Sequence, residues 1–368
     1  MAPLSSIPPS PSSSLQDNAT TVQAANGWNS SHCHNTHFKS KDVIFIVYVD
    51  DCLLFSPSDQ VLDDLISSLQ SEFKLTHEGD VGAYLGINIQ HHPDSSLELI
   101  QPGLVQKIIT AAGLESNSTQ HDTPSTATLH EDTELLHHNW HAQLTCLLYL
   151  ADIAFAVHQC ACFCTNPKCS HELAVRHIVH YLKGTSNKGC FLKPSPSSLN
   201  LECYVDADFA GLWTLPTSHD PLDVKSCSGY VVTFASCPLL WSSKLQSEIA
   251  LSTTKAEYIA LSQATREIIP LRALLHELAS ITKLIVGPTI THSTVFEDNK
   301  GCVELANAPC LCPRMRHIAL KYHHFHHFVS KGDIKVQWID TKHQLADILT
   351  KPLPSSTFKF LRHLLLGW

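Results

Sequence analysis

The sequence predicts an α/β protein whose C-terminal half folds as a mixed five-stranded sheet in the order βββαβαβα. Three observations carry this expectation. Leu201–Val205, Gly229–Ala235 and Leu239–Ser242 are short strand-like runs with turns between them. A long helical pattern follows at Thr253–Ala279. Thr294–Glu297 and Ile334–Ile339 then read as strands, alternating with helical Lys300–Ala306 and Gln344–Leu349. Consecutive strands pair antiparallel and strands separated by a helix add in parallel, which sets the first strand beside the fourth.

The rest of the chain is read in the same way. Residues 1–40 are rich in Ser, Pro, Asn and Thr and read as a disordered leader. Val43–Val49 is a β-branched and aromatic run, stopped by Asp50-Asp51 and resumed by Cys52–Phe55, which is the pattern of a strand, a tight turn and a strand. Leu62–Phe73 has helical spacing, and Tyr84–Ile89 reads as a strand. Helical patterns dominate from Gln101 to Lys183, broken by the polar stretch Ser116–Thr128 and by Asn166-Pro167. The Pro- and Ser-rich segment Lys193–Leu199 marks a boundary. The expected divisions are 1–40, 41–92, 93–198, 199–353 and a tail at 354–368, with 199–353 folding independently.

At 368 residues, 43% of them apolar, the chain has material for two or three domains. No apolar run approaches the ~20 residues of a membrane span, and no secretion signal opens the chain, so no membrane partner is expected. The fourteen cysteines follow no small-scaffold spacing and read as reduced thiols of an intracellular protein, cytoplasmic or nuclear. A net charge of −9 argues against a generic nucleic-acid binder. Locally the balance reverses. Pro313–Lys351 carries five Lys and two Arg against three Asp, with six His besides, and suits either a phosphate backbone or a solvated face.

Four acids stand out. Asp206 ends a strand-like run, Glu257 lies in the long helix, Asp298 ends a second run and Asp347 lies in the last helical segment. Two Mg²⁺ ions about 3.5–4 Å apart need hard carboxylate oxygens converging from separate elements, with a phosphate between them. That order of acids would supply such a cluster, and Mn²⁺ is a possible substitute. The chemistry suggested is phosphodiester hydrolysis.

The strings Tyr-Val-Asp-Asp (48–51), Tyr-Leu-Gly-Ile (84–87), Tyr-Leu-Lys-Gly-Thr (181–185), Tyr-Val-Asp-Ala-Asp-Phe-Ala-Gly (204–211) and Ser-Gly-Tyr-Val (228–231) occur in that order. They continue with Trp-Ser-Ser-Lys (241–244), Ala-Leu-Ser-Thr-Thr-Lys-Ala-Glu-Tyr (250–258), Glu-Asp-Asn (297–299) and Gln-Leu-Ala-Asp-Ile-Leu-Thr-Lys-Pro-Leu (344–353). Over roughly residues 41–353 the chain resembles the C-terminal end of the Pol polyprotein of copia-type LTR retrotransposons. The resemblance implies a partial reverse-transcriptase palm at 41–92, a helical thumb or connection-like region at 93–198 and an RNase H domain at 199–353. It implies that Asp206, Glu257, Asp298 and Asp347 bind metal and carry catalysis on an RNA–DNA hybrid, alongside other Pol segments. Asp208 is a possible accessory acid, and His343, four residues before Asp347, a possible proton shuttle.

The same resemblance matches Asp50 and Asp51 to the metal-binding pair of the palm. Polymerase chemistry needs a third carboxylate upstream, and the acids before Asp50 are Asp17, in the leader, and Asp42, on the same strand. These aspartates therefore read as a vestigial polymerase site. A Thr-Arg-Pro loop usual in the family is missing where Leu150 runs into Ala151-Asp152-Ile153, an apparent short deletion that bears on the packing of the connecting region.

Cys160, Cys162, Cys164, Cys169 and His171 crowd together, but their spacing fits no common zinc knuckle or ribbon. In Tyr322–Phe328 the aromatics have core spacing, which leaves the histidines for the polar side. Two rivals to the hydrolase reading remain. An integrase or transposase nuclease would carry its glutamate on a late helix, unlike Glu257. A decayed insertion would at most bind nucleic acid.

Overall fold

The computed structural model describes residues 19–24, 38–40, 43–49, 51–116, 119–129, 150–165, 168–195, 199–211, 224–281, 292–309 and 320–368. The chain divides into two compact units, one of residues 1–85, 93–95 and 277–286, the other of residues 86–92, 96–276 and 287–368.

In the first unit, Phe38–Ser40, Val43–Tyr48, Asp51–Phe55, Ala19–Ala24 and Leu75–Asp80 form an antiparallel sheet in that spatial order. The helix Asp59–Glu72 turns Leu62 and Ile66 onto Val43, Val47, Cys52 and Leu54. The expected tight turn is present, with Tyr48 and Asp51 paired across it and Val49 at φ +52°. That conformation is costly for a β-branched residue. Two stretches expected to lie in a disordered leader are strands, Ala19–Ala24 and Phe38–Ser40. Their partners explain the difference, because Ala19–Ala24 pairs on both sides and residues remote in sequence supply its ladder. Gln23 lies in register with Asp51, and Ala19–Ala24 contains no acid.

In the second unit the C-terminal half forms the expected sheet. Its strands are β1 (Leu201–Asp208), β2 (Cys227–Phe234), β3 (Cys237–Leu245), β4 (Ser293–Glu297) and β5 (Ile334–Trp338), in the order β3-β2-β1-β4-β5. β1 is antiparallel to β2 and parallel to β4, and β5 is parallel to β4. Helix α1 (Thr253–Ile281) covers one face, where Ala256, Ile259, Ala260 and Ile268 meet Leu201, Cys203 and Val205 of β1 and Val295 of β4. Helix α2 (Lys300–Asn307) joins that layer through Cys302 and Ala306.

The other face is covered from outside residues 199–353. Val231 of β2 and the turn Leu345–Leu349 pack with helices Pro102–Ala111, Ala154–Cys162 and Cys169–Gly184. They also pack with Phe358, Leu361, Leu365 and Leu366 of helix α3 (Ser355–Leu366). The expected tail at 354–368 is therefore mostly a docked helix. Phe358, Leu361 and Leu365 repeat every three or four residues, giving it one apolar stripe. A chain of hydrogen bonds, buried at its inner end, holds it in place. Arg362 Nη1 donates to the Tyr181 hydroxyl (3.1 Å), which donates to Asp152 Oδ2 (2.5 Å). The break expected after residue 198 is thus no break in packing, because one apolar core runs from Val105 to Leu366. Just after the apparent deletion, Ala151 and Ile153 are fully buried in this core.

No disulfide forms among the described cysteines. Among the described residues, no helix is long and apolar enough to cross a membrane. In the histidine-rich run, Tyr322 and Phe325 are buried as the spacing requires. His323 and His326 are only half-exposed, however, and both bond the hydroxyl of buried Tyr258, at 2.7 and 2.6 Å.

Candidate metal centre

Strand alternation decides which way each acid faces. On β1, Leu201, Cys203 and Val205 point into the core beneath α1, so Tyr204 and Asp206 point to the opposite face. On β4, Ser293, Val295 and Glu297 are the buried set, so Glu297 faces α1. Val205 is in register with Glu297 on the neighbouring parallel strand, which brings Asp206 alongside Asp298 just past the end of β4.

Two groups of carboxylates result. Asp206, Asp298 and Asp347 each offer an oxygen within 4.8 Å of the others, and so do Glu257, Glu297 and Asp298. Asp298 belongs to both. The four acids expected from the sequence are brought together, and a fifth, Glu297, joins them. The Glu-Asp-Asn string was legible, but the role of Glu297 depends on strand parity, which the string alone does not reveal. Asp208 is half-buried on β1 and lies outside both groups. His343 is exposed on the turn Thr341–His343, edge-on to Phe360, and also lies outside them. Asp51 is half-buried in the first unit, and Asp50 lies outside the described residues.

The turn Leu345–Leu349 delivers Asp347. Gln344, fully buried, donates from Nε2 to the Val205 carbonyl (2.8 Å), and its Oε1 accepts from Ala346 N (3.4 Å). The turn sits directly on the sheet because residue 229, opposite Asp206 on β2, is glycine. A Cβ there would lie 2.6 Å from Thr350 Cγ2 and 2.8 Å from Leu349 Cβ. Thr350 donates its hydroxyl to Asp206 Oδ2, and Thr341 donates to Asp298 Oδ2 (2.7 Å). Lys351 Nζ lies 2.9 Å from Asp347 Oδ1 and 3.5 Å from Asp206 Oδ2.

Burial dominates the electrostatics. Asp206, Glu257, Glu297 and Asp347 are all buried, whereas Asp298 is half-exposed. Burial raises Asp206 above the usual carboxylate range, against the pull of Lys351 and Thr350. Burial, with Asp206 beside it, pushes Asp347 up to about 7. Glu257 is raised well above its ordinary value by burial and then by Glu297. Glu297 is raised mainly by burial, opposed by the backbone N–H of Asn299 on its Oε1 (3.1 Å). Burial disfavours the Lys351 ammonium, but Asp206 and Asp347 outweigh it and hold this group above the usual lysine range. Oε2 of Glu257 and Oε2 of Glu297 are buried without a hydrogen-bond partner among the described residues. Buried carboxylate oxygens of this kind are expensive unless paired or bound to a metal. All the donors are hard oxygens, so the set fits Mg²⁺ or Mn²⁺ better than zinc.

Next to Asp298 lies an aromatic and basic surface. Half-exposed Trp338 donates from Nε1 to the Asp298 carbonyl (3.0 Å), and Lys300 Nζ sits 5.0 Å from its ring centroid. The Cys160–His171 cluster is not among the metal-competent groups of the described residues. Burial raises the thiols of Cys160 and Cys162 to about 12 and about 11, and His171 stacks on Phe163 at 4.1 Å.

A family model described as reverse transcriptase (RNA-dependent DNA polymerase) matches residues 24–127, beginning inside the expected leader. The chain is 31% identical over 331 residues to the retrovirus-related Pol polyprotein from transposon RE2 of Arabidopsis thaliana, covering 87% of this chain and 22% of that protein. It is 32% identical over 330 residues to the corresponding protein from transposon RE1 of the same plant, covering 87% and 21%. The chain thus spans about a fifth of the length of these relatives. Among solved structures, an N-terminal RNase H domain from Mycobacterium tuberculosis, fused to maltose binding protein, aligns at 17% identity with a TM-score of 0.28. That alignment covers 45% of this chain and 98% of that one. The fold assignment rests on the strand order itself.

Proposed function

Because the chain belongs with the copia-type retrotransposon Pol polyproteins, we propose that its C-terminal half is an RNase H that hydrolyses the RNA strand of RNA–DNA hybrids with two Mg²⁺ ions. One observation carries this reading: five carboxylates from four separate elements form two groups that share Asp298, and Oε2 of each glutamate lacks a hydrogen-bond partner among the described residues. Asp206, Asp298 and Asp347 would hold one ion, and Glu257, Glu297 and Asp298 the other. Bound Mg²⁺ would supply an acidified water and offset the charge that builds on the phosphate.

The chain's own residues prepare the site. Thr350 and Thr341 fix one oxygen each of Asp206 and Asp298, so these carboxylates are oriented in advance. Gln344 locks the turn carrying Asp347 to β1. Trp338 and Lys300, beside Asp298, offer a ring and a cation to a nucleic-acid strand. Hydrolysis breaks the P–O3′ bond of the RNA strand, and selection for RNA would rest on duplex shape and 2′-hydroxyl contacts.

The test is cleavage of a labelled RNA–DNA hybrid by the full chain in Mg²⁺, in Mn²⁺ and in EDTA. Metal-dependent cleavage that disappears with Asp206→Asn supports the reading. Absence of cleavage under all conditions leaves the decayed-insertion alternative. The reverse-transcriptase part is proposed to be inactive in nucleotide addition, because the strand beside Asp51 has Gln23 in register and offers no acid.

A further inference from the structure

We propose that Lys351 is a resident cation of the carboxylate cluster and that divalent ions therefore fill its two halves in order. The Glu257–Glu297–Asp298 half fills first, and the Asp206–Asp298–Asp347 half fills only as the lysine ammonium withdraws. This inference rests on the metal-dependent reading above and goes beyond it by making the two halves unequal.

The two halves differ in what already occupies them. Lys351 Nζ contacts Asp347 Oδ1 at 2.9 Å and Asp206 Oδ2 at 3.5 Å, both acids of the same half. An ammonium and a metal ion cannot share those oxygens, since two positive charges would then sit within a few ångströms in a poorly screened site. In the other half no lysine or arginine pairs with Glu257 or Glu297 among the described residues. Their Oε2 atoms have no hydrogen-bond partner among the described residues, and the two residues are 6% and 0% exposed, whereas Asp347 Oδ1, which also lacks a hydrogen bond of good geometry, is held by the lysine's charge. A cation entering there displaces no lysine or arginine among the described residues and relieves the repulsion between two adjacent glutamates.

Lys351 is built to leave. Its side chain is 32% exposed, at the outer edge of the cluster. It follows the turn Leu345–Leu349 and precedes Pro352, so a rotation of its flexible stem can carry the ammonium to water without moving that turn. Asp206 does not collapse when the lysine goes, because Thr350 still donates to its Oδ2. The lysine therefore acts as a placeholder that holds two like-charged carboxylates together without metal and competes for them when metal arrives.

The experiment is calorimetric titration of the full chain with Mn²⁺ and with Mg²⁺, without nucleic acid, alongside melting temperatures in EDTA. The wild-type chain should show two classes of site. In Lys351→Met the weaker class should tighten by roughly tenfold or more, and the melting temperature in EDTA should fall. Lys351→Arg should keep the gap. Two variants that retain the lysine test the order independently: Glu297→Gln should weaken the tighter class and Asp347→Asn the weaker one. Unchanged classes in Lys351→Met, or a reversed assignment in the last two variants, would overturn the proposal. A wild-type chain that binds neither ion would bring down the metal-dependent function itself, an outcome separate from equal filling of the two halves.

Discussion

Asp206 is held under opposing influences: burial and the neighbouring acids penalise its charge, while Thr350 and Lys351 favour it. Asp206→Asn and Asp298→Asn should abolish hybrid cleavage yet raise the melting temperature in EDTA, since each removes one member of a mutually repelling group. The double variant should be no less active than either single one, because the acids act as a unit. Thr350→Val, which removes only the hydroxyl on Asp206, should cost roughly 10–100-fold in Mg²⁺ affinity or cleavage. Asp206, Glu257, Asp298 and Asp347 were legible because each sits within a recognisable string at a strand end or in a helical segment. Glu297, Gln344, Thr350 and Lys351 lie within those strings too, but their roles depend on strand parity and on contacts across more than a hundred residues.

At the level of elements, two contacts set the sheet edge and the turn. Gly229→Ala would thrust a methyl group into Thr350 and Leu349, costing about 1–3 kcal/mol and lifting Asp347 away from Asp206. The expected result is a lower melting temperature together with weaker Mg²⁺ binding, read by calorimetry. On the same face of the sheet, Leu245 N of β3 donates to His158 Nε2 (2.9 Å), which joins the edge strand to helix Ala154–Cys162. Burial, aided by Lys244, lowers His158 to about 4, so the folded chain keeps it neutral. An unfolded histidine takes up its proton below about 6.5, so this group's contribution is intact above that pH and is lost as pH falls toward about 4. Melting curves at about pH 6.5 and 5 should show His158→Gln losing less stability than wild type, by up to about 2 kcal/mol. The raised carboxylates act with the opposite sign, and comparing the two proteins cancels them. The strand order was readable from runs and spacers, since β1, β2 and β3 precede the first helix and β4 and β5 each follow one, as expected. Helix α3 was missed although Phe358, Leu361 and Leu365 show its stripe, because a short segment's period does not reveal whether a partner surface exists.

Across the whole molecule, the sheet is sandwiched between α1 on one side and helices from both before and after residues 199–353 on the other. A fragment of residues 199–353 would leave Val231, Ile348 and Leu349 without their cover, at a cost of about 1.5–3 kcal/mol for each large side chain fully exposed. It should aggregate or melt without cooperativity, while a fragment of residues 86–368 should melt in one transition. Calorimetry of both fragments checks this. The Pro- and Ser-rich stretch at 193–199 suggested a boundary because linker composition is local, whereas the shared core is visible only once distant helices are seen to meet. The bond from Gln344 to Val205 joins residues 139 apart, and it fixes the acid that closes one half of the candidate metal centre. During translation, the strands bearing Asp206 and Asp298 emerge well before the turn that carries Asp347 or the helix that seals the sheet. A growing chain would therefore display the early acids without the late one, and the set of carboxylates is complete only once the turn at 345–349 has docked on the sheet.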